Sequence, residues 1–435
     1  MLDILKHRTY RHLFSAQVVA LIGTGLATIA LSMLAFELAE GQAGIVLGTA
    51  LTIKMATYVF FAPIATAYIR HLSRRTVLVA LDIARASVAL ALPFVSEVWH
   101  VYVLIFILQT ASASFTPLFQ ATIPDVLTEE KDYNKALSLS RLAYDLENLL
   151  SPALAGVLLT AITWHGLFTG TVVGFAASAL LILTIRLPQT TTQPAAKLGF
   201  YHKALRGMRF YLATPRLRGL LTLNIVVTCA GAMVIINTVV LVQSQFSLSP
   251  SDTALALASF GFGSMSAALS TPYLLSRFHD RTLMLCAALL LVLGLLCGSL
   301  VQTYSLLLPI WFVLGIGYAF VQTPSGRLLA RSAHSEDRPD LYAAQFSLSH
   351  ACWLIAYPCA GWLGANLDMQ SVFIIFAVVA LLSILIALRI WPKNDISELH
   401  HSHVNLPHDH PHLAQGNTQH SHTFIIDDLH SRWPK

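Results

Sequence analysis

The chain of 435 residues alternates long apolar blocks with short polar breaks. The blocks at 283–301 and 372–390 reach 19 residues each, and Arg389 is the only charged residue in either of them. A helix of about 20 apolar residues crosses the hydrocarbon layer of a bilayer and satisfies its own backbone hydrogen bonds there. The two-residue alternation of a membrane β-barrel is absent. The pattern therefore predicts an all-α membrane protein.

Turn residues between the blocks divide the chain into twelve predicted membrane-spanning helices. The spans lie near 12–37, 44–69, 76–95, 99–121, 137–162, 166–187, 217–242, 253–276, 282–301, 304–324, 341–363 and 370–391. Composition agrees with this interpretation, because only 11% of the residues are charged, far below the roughly 25% of soluble domains.

Lysine and arginine are concentrated in alternate loops. The loops 'AEGQAG', 'SEVWH', 'TWHG', 'QSQFSLSPSD', 'QTY' and 'GANLDMQS' contain neither residue. The remaining loops hold most of the basic residues, including Arg70, Arg74, Arg75, Arg277, Arg281, Arg327 and Arg331. Because basic loops stay in the cytoplasm, the distribution predicts a multi-pass protein with both termini cytoplasmic.

The two halves of the chain resemble each other at an offset of about 206 residues, which is typical of an internal duplication. 'RRTVLV' at 74–79 matches 'DRTLML' at 280–285. We therefore expect two pseudo-symmetric six-helix bundles. The predicted units are an N-terminal bundle at 1–187, a cytoplasmic linker with an amphipathic helix at 188–216, a C-terminal bundle at 217–391 and a tail at 392–435.

The tail holds eight histidines within the 23 residues from 400 to 422. Imidazole is a ligand suited to divalent Ni, Co, Zn and Cu, and most exposed histidines are neutral near pH 7. Pro407, Pro411 and Gly416 oppose a regular helix, so we expect a disordered, cytoplasmic segment that captures metal. The alternative is a solvated tail without a function. The candidate ligands are His400, His401, His403, His408, His410, His412, His420 and His422.

The eleventh span, which contains 'QFSLSHACW', carries candidate ligands for a transported metal. Gln345, Ser349 and Cys352 recur at helical spacing, and His350 lies beside them. Histidine and cysteine are good ligands for Ni²⁺ or Zn²⁺, but a single histidine inside a membrane is often a hydrogen-bonded packing residue. Asn237 in the seventh span is a further candidate for the wall of a cavity.

Charged residues inside the second and fifth spans are the other candidates for a transport site. Lys54 in the second span is either a mechanistic residue or one that packs for structure. In the fifth span, Asp145 stands four residues after Arg141 and is expected to pair with it, whereas Glu147 points elsewhere. One of these carboxylates could carry a proton or neutralise a metal ion, and Asn148 continues the face of Arg141.

The segment 'FTPLFQATIPDVLTEEKDYNKALSLSRLAYDLENLLSPALAG' resembles the region from helix 4 to helix 5 in the antibiotic- and metal-efflux branch of the major facilitator superfamily. 'DIAR' at 82–85 opens the third span as it often does there. The resemblance covers residues 1–392 and implies the major facilitator fold. The loop 'AYIRHLSRR' departs from the usual signature, since Arg70 stands where an aspartate is expected. This departure puts the usual charge latch between helices 2 and 11 in doubt.

'TPSGRLLARSA', 'DRPDLYAAQFSLSHACWLIAYPCAGWLG' and the histidine-rich tail resemble the nickel-resistance permeases of that superfamily. This resemblance implies export of Ni²⁺, and of Co²⁺ in some members, from the cytoplasm across the bacterial inner membrane. The chain has no phosphate-binding GK[ST] loop and no nucleophile elbow, so we expect no enzyme activity and no cofactor. An ion gradient must then supply the energy, and proton antiport is the simplest coupling.

Two other functions fit the same residues. The chain could export an organic compound, either a drug or a metal chelator, with the tail as a metal sensor. It could also be a membrane-bound metal sensor or store that transports nothing. We expect a monomer whose partners are lipid and the transported solute, and the net charge of +5 requires no nucleic acid.

The orientation is testable by labelling. A cysteine introduced into 'QSQFSLSPSD' (243–252) should react with an impermeant maleimide on intact cells, because this loop is predicted to face outward. Labelling only after permeabilisation of the membrane would reverse the predicted topology.

Overall fold

The computed structural model describes residues 2–38, 43–69, 72–188, 205–393, 398–402, 419–427, 430 and 433. Within these residues the chain is almost entirely helical. The helices are α1 Arg8–Leu38, α2 Ala43–Ile69, α3 Arg74–Ala91, α4 Val98–Val126, α5 Glu130–Leu158, α6 Trp164–Leu183, α7 Arg206–Ala213, α8 Pro215–Val239, α9 Pro250–Leu275, α10 Asp280–Gly298, α11 Tyr304–Gln322, α12 Ser325–Ala330, α13 Arg338–Asn366 and α14 Met369–Ile390.

The twelve long helices form two six-helix halves, as the sequence predicts. The long helices of the second half begin about 206 residues after their counterparts in the first half, from α8 opposite α1 to α14 opposite α6. Helix α4 is continuous, whereas its counterpart is broken at Pro324 into α11 and α12. Among the described residues, nine helical stretches are long and apolar enough to cross a membrane. Polar and charged residues place α5 and α13 outside that group, and the described part of α2 contributes only the shorter apolar stretch Thr52–Ala65.

The two halves have differently arranged cores. The C-terminal half packs around one continuous cluster that includes Trp311, Phe373 and Trp391, all almost fully buried. Buried residues of the N-terminal half fall into separate clusters, one near Leu13 and another near Phe168. The N-terminal core is therefore interrupted at mid-depth, where a cavity lies. The halves meet where α5 packs on α9 and α2 packs on α13.

A buried ion-pair cluster joins the halves at one end of the molecule. We call this the basic end, because the arginine-rich loops lie there. Asp125 at the end of α4 pairs with Arg74 of its own half and with Arg338 at the start of α13. Arg74 also donates a hydrogen bond to the carbonyl of Ser335, at 3.1 Å. These four residues, which we call the latch, hold the basic end closed.

Two further contacts reinforce this closure. The hydroxyl groups of Tyr133 in α5 and Tyr342 in α13 are 2.6 Å apart in a buried hydrogen bond. Arg327 of α12 pairs with Glu130 at the start of α5 and lies 3.5 Å from the carboxylate of Asp280. The break before α12 allows Arg327 to reach across the interface.

The linker and the tail are only partly described. Of the predicted linker, residues 205–216 form α7 and the start of α8, and α7 packs on α13 with Phe210 and Tyr211 buried. In the tail, Glu398–Ser402 and Gln419–Thr423 form antiparallel strands β1 and β2, and His401 pairs with His420. The expectation of a disordered tail is wrong for these segments, because backbone pairing satisfies their hydrogen bonds.

Helices α9 and α11 touch backbone to backbone through two glycines. A Cβ atom on Gly263 would lie 2.0 Å from the carbonyl oxygen of Phe312, and one on Gly315 would lie 2.0 Å from that of Phe260. Such contact distances are impossible for a real side chain, so glycine is required at both positions. Small residues allow this close packing between membrane helices.

We expect Gly263→Ala to destabilise the protein by about 1–3 kcal/mol, because α9 and α11 must move apart. Gly361→Ala is the matched control, since a Cβ there meets nothing within 4 Å. It should be neutral or stabilising by up to about 1 kcal/mol. Thermal unfolding in detergent measures both changes, and equal melting temperatures for the two variants would contradict the packing described.

Candidate functional site

A cavity of about 390 Å³ lies within the N-terminal half, between helices α1 to α5. It extends from mid-depth toward the end opposite the latch. Its wall combines aromatic rings with polar and charged groups. The larger polar and charged side chains of the wall are those of Gln17, Lys54, Tyr58, Arg85, Tyr144 and Glu147. The volume is in the range of small-molecule sites in proteins.

Lys54 and Glu147 face the cavity from different helices. Lys54 projects from α2, and its Nζ atom lies 5.7 Å from the centre of the Tyr58 ring, one turn later in the same helix. Glu147 projects from α5, and the two opposite charges attract each other. The sequence predicts both residues as members of a transport site, and the fold brings them to one cavity. A charged group that borders open space can bind a proton or a solute.

Arg85 is the second cation on the cavity wall. Its guanidinium lies between the rings of Phe115 and Phe175, at 4.0 and 4.5 Å from their centres. Asp82, fully buried behind it, pairs with Arg85 and accepts a hydrogen bond of 2.7 Å from Ser178. The pair is therefore held by aromatic rings and a hydroxyl group, and Arg85 also lines the cavity.

Asp145 does not belong to the cavity. It pairs with Arg141, as its spacing predicts, and accepts a hydrogen bond of 2.6 Å from Ser264 of α9. The Arg141 guanidinium lies 4.8 Å from the centre of the Tyr318 ring of α11. Since Ser264 and Tyr318 belong to the C-terminal half, this buried group connects the two halves. Its contacts are those of a structural ion pair.

His350 lies on α13 behind the cavity wall and is absent from the cavity lining. Its Nδ1 atom is 2.7 Å from the carbonyl oxygen of Phe346, one turn earlier. Its ring centre is 4.8 Å from that of Tyr58, edge to face, and 4.2 Å from that of Phe346. Tyr58 thus separates His350 from the cavity. These contacts describe a packing histidine at the interface of α2 and α13.

The other candidates on α13 and α8 make separate contacts. Gln345 accepts a hydrogen bond from Tyr211 of α7, and Ser349 donates one of 3.1 Å to the carbonyl of Phe346. Asn237 is buried and donates to the carbonyl of Ala360 at 3.4 Å. Cys352 is half-buried, and neither it nor the other residues named here line the cavity.

Several predicted residues fall partly or wholly outside the described part of the chain. Asn148 lies in α5, but its side chain is not described. His400, His401, His420 and His422 lie in the paired strands, and the remaining predicted tail ligands, His403, His408, His410 and His412, lie outside the described residues. Within the described part of the chain, no group of three or more His, Cys, Asp or Glu residues is placed to hold a metal ion.

The sequence reasoning missed part of the cavity wall. Tyr144 and Ser151 line it together with Glu147, at intervals of three and four residues along α5. On α1, Thr24 and Thr28 continue from Gln17 as a similar polar stripe. Polar residues that repeat with helical period inside an apolar helix were the available signal. Arg85, part of the 'DIAR' segment, is not among the residues that the sequence predicts for transport, and the structure adds its contact with the cavity.

Comparison with known proteins decides the family. The family model described as Major Facilitator Superfamily matches residues 13–238 and 220–409, which together cover most of the chain. The chain belongs to the major facilitator superfamily. It is therefore a transmembrane transporter rather than an enzyme, as its sequence predicts.

Curated relatives in the superfamily are distant. The chain is 25% identical over 327 residues to an uncharacterised transporter of this type, YfiS, from Bacillus subtilis, covering 72% of this chain and 76% of the relative. It is 25% identical to the multidrug resistance protein MdtL of Shewanella oneidensis, covering 63% and 68%. Macrolide efflux protein A of Streptococcus pyogenes is 23% identical over a shorter region, covering 41% of this chain and 44% of the relative.

Solved structures share the fold. The human organic anion transporter MFSD10 superimposes with a TM-score of 0.76 at 15% identity, covering 87% of this chain and 99% of that one. A bacterial homologue of the iron transporter ferroportin, in an outward-facing state, gives a TM-score of 0.70 at 15% identity, covering 88% and 98%. At this identity the similarity establishes the major facilitator fold alone.

We expect the His350→Gln transporter to keep at least about half of its activity, because glutamine can still donate to the Phe346 carbonyl and fill the space beside Tyr58. His350→Ala removes both contacts and should lower thermal stability by about 1–3 kcal/mol. Transport assays in vesicles, normalised to the amount of inserted protein, test the prediction. If the glutamine variant is inactive although stable, His350 is a ligand of the cargo.

Proposed function

We propose that this transporter is a secondary-active exporter of the bacterial inner membrane, driven by protons, whose cargo binds the cavity of the N-terminal half. The observation that carries the proposal is the placement of Lys54 and Glu147, which have opposite charges and line one cavity inside a membrane protein. Both termini and the basic end are cytoplasmic in this proposal, in agreement with the distribution of arginine and lysine. With the latch closed, the conformation described is then outward-facing.

The cavity chemistry favours an amphipathic organic compound as cargo, which includes a metal chelator. Its volume of about 390 Å³ is far above the roughly 30 Å³ that one water molecule occupies in the liquid. Rings of Tyr58, Phe115 and Phe119 offer apolar contact, while the wall presents both signs of charge. A bare divalent cation would be repelled by Lys54 and Arg85. Relatives named for multidrug resistance and macrolide efflux are consistent with this cargo class.

Export of Ni²⁺, possibly with Co²⁺ as a second cargo, is the other candidate, and the tail supports it. Eight histidines within 23 residues are a composition suited to capturing divalent metal near the basic end. A tail of this kind raises the local metal concentration at the cytoplasmic entrance. The same tail would serve a chelate exporter as a metal sensor, so the tail alone does not select the cargo.

Glu147 is the proposed site of proton coupling. It is the only carboxylate among the described residues that line the cavity. A cargo with a hydrogen-bond donor or a cationic group competes with a proton for this carboxylate, while an acidic group of the cargo pairs with Lys54. Competition for one group makes proton and cargo move in opposite directions, which is antiport.

Glu147→Gln should reduce transport driven by a pH gradient at least about tenfold, while exchange of cargo without a gradient continues. Inverted vesicles with an acidic interior measure the gradient-driven uptake. Glu97→Gln is the matched control, because Glu97 lies before α4 and outside the cavity lining. If Glu147→Gln keeps its full response to the pH gradient, Glu147 is not the site of proton coupling.

Uptake into the same vesicles distinguishes the two cargo classes. Accumulation of a fluorescent amphipathic compound, inhibited by Lys54→Ala, supports the organic cargo. Accumulation of radioactive Ni²⁺ without any chelator supports metal export instead. If uptake of Ni²⁺ requires an added chelator, the chelate is the cargo.

A further inference from the structure

The end of the tail packs onto the C-terminal half at the basic end. We call it the strap and define it by residues 424–427, 430 and 433. Phe424 and Ile426 are only 3% and 2% exposed and belong to the core of the C-terminal half. The ring centre of Phe424 lies 4.9 Å from that of His430 and 5.3 Å from that of Trp433. Apolar side chains buried to this extent make the strap a docked element of the fold.

The strap is linked to the loop between α12 and α13 by one direct contact and by one contact through Arg216. The Asp427 carboxylate lies 3.8 Å from Nε2 of His334 in that loop. The guanidinium carbon of Arg216 lies over the Trp433 ring, 5.4 Å from the ring centre. Arg216 in turn donates a hydrogen bond of 2.7 Å to the hydroxyl of Ser332 in the same loop. The first contact is direct, and the second passes through the first turn of α8.

The same loop supplies the C-terminal side of the latch. Its Ser335 carbonyl accepts the hydrogen bond from Arg74 of the N-terminal half, one residue after His334. Arg338, which pairs with Asp125, follows directly at the start of α13. Because His334 and Ser335 are adjacent, a contact that fixes His334 also fixes the acceptor that Arg74 uses.

Charge strengthens the direct contact. Burial alone would raise the pKa of Asp427, but the nearby His334 and the hydrogen bonds from His430 outweigh this effect and lower it. The Asp427 carboxylate is the main cause that raises the pKa of His334, and the nearby Asp337 and Glu336 add to it. The attraction is therefore complete below the ordinary histidine pKa and is lost as pH rises through the raised value.

We propose that the strap stabilises the closed state of the basic end by holding the loop between α12 and α13 in the position that the latch requires. The tail then acts on the transport cycle through its docked end, independently of any metal bound by its histidines. Opening of the basic end requires the latch to break, and the strap adds to the free energy of that step. This inference does not depend on the identity of the cargo.

Spin labels on opposite halves test the proposal in the full-length protein. Leu72 and Phe278 lie in exposed loops at the basic end, so Leu72→Cys and Phe278→Cys in a background without other cysteines report the separation of the halves. Asp427→Asn should increase the population with the longer distance by roughly two- to fivefold, the range of a partly exposed ion pair. Deleting residues 424–435 should increase it by about tenfold, since the apolar contacts are lost as well.

A deletion of residues 403–418 is the control, because it removes four predicted metal ligands and leaves the strap in the chain. The closed population should remain unchanged in this variant. In the intact tail, the closed population should fall as the pH rises above the pKa of His334, and His334→Gln should remove that part of the pH response. An unaltered distance distribution after deletion of 424–435 overturns the proposal, as does an equal opening in the 403–418 deletion.

Discussion

A charge inside a low-dielectric helical bundle needs a partner, and this requirement organises the whole transporter. Arg85 pairs with Asp82, and Arg141 pairs with Asp145. These two pairs are completed by neighbouring hydroxyl groups and aromatic rings, so they are fixed parts of the structure. Lys54 and Glu147 also have opposite charges, but they line a cavity. This difference in surroundings, rather than the residue types, separates the proposed transport site from the structural ion pairs.

The contacts between the halves form two levels. At mid-depth, Arg141 and Asp145 meet Ser264 and Tyr318 across the interface of α5 with α9 and α11. At the basic end, Asp125 receives arginines from both halves. Both levels consist of polar contacts that water can replace, whereas α2 and α13 meet through the aromatic rings of Tyr58 and Phe346. The polar levels can therefore break and re-form without exposing large apolar surfaces.

Hydropathy predicts that a helix crosses a membrane, but it does not predict which side of the helix faces a cavity. For this reason the twelve spans and the internal repeat could be derived from sequence, whereas the site could not be completed. Asp145 and Glu147 are two residues apart in one helix, and only the packing of α5 assigns the first to the interface and the second to the cavity. His350 has the chemistry of a ligand, yet Tyr58 separates it from the cavity. The tail is anchored by the apolar triplet 'FII' at 424–426, which is too short for a periodic pattern to identify.

The placement of the cavity within one half has an evolutionary consequence. The helices of the two halves recur at an offset of about 206 residues, but the first half contains the cavity proposed for the cargo and the second contains the long continuous core and the docked tail. Substitutions that change cargo preference can accumulate on α1, α2 and α5 without altering the parts that clamp the basic end. Selection can then broaden or narrow the range of exported compounds while the transport cycle itself is preserved.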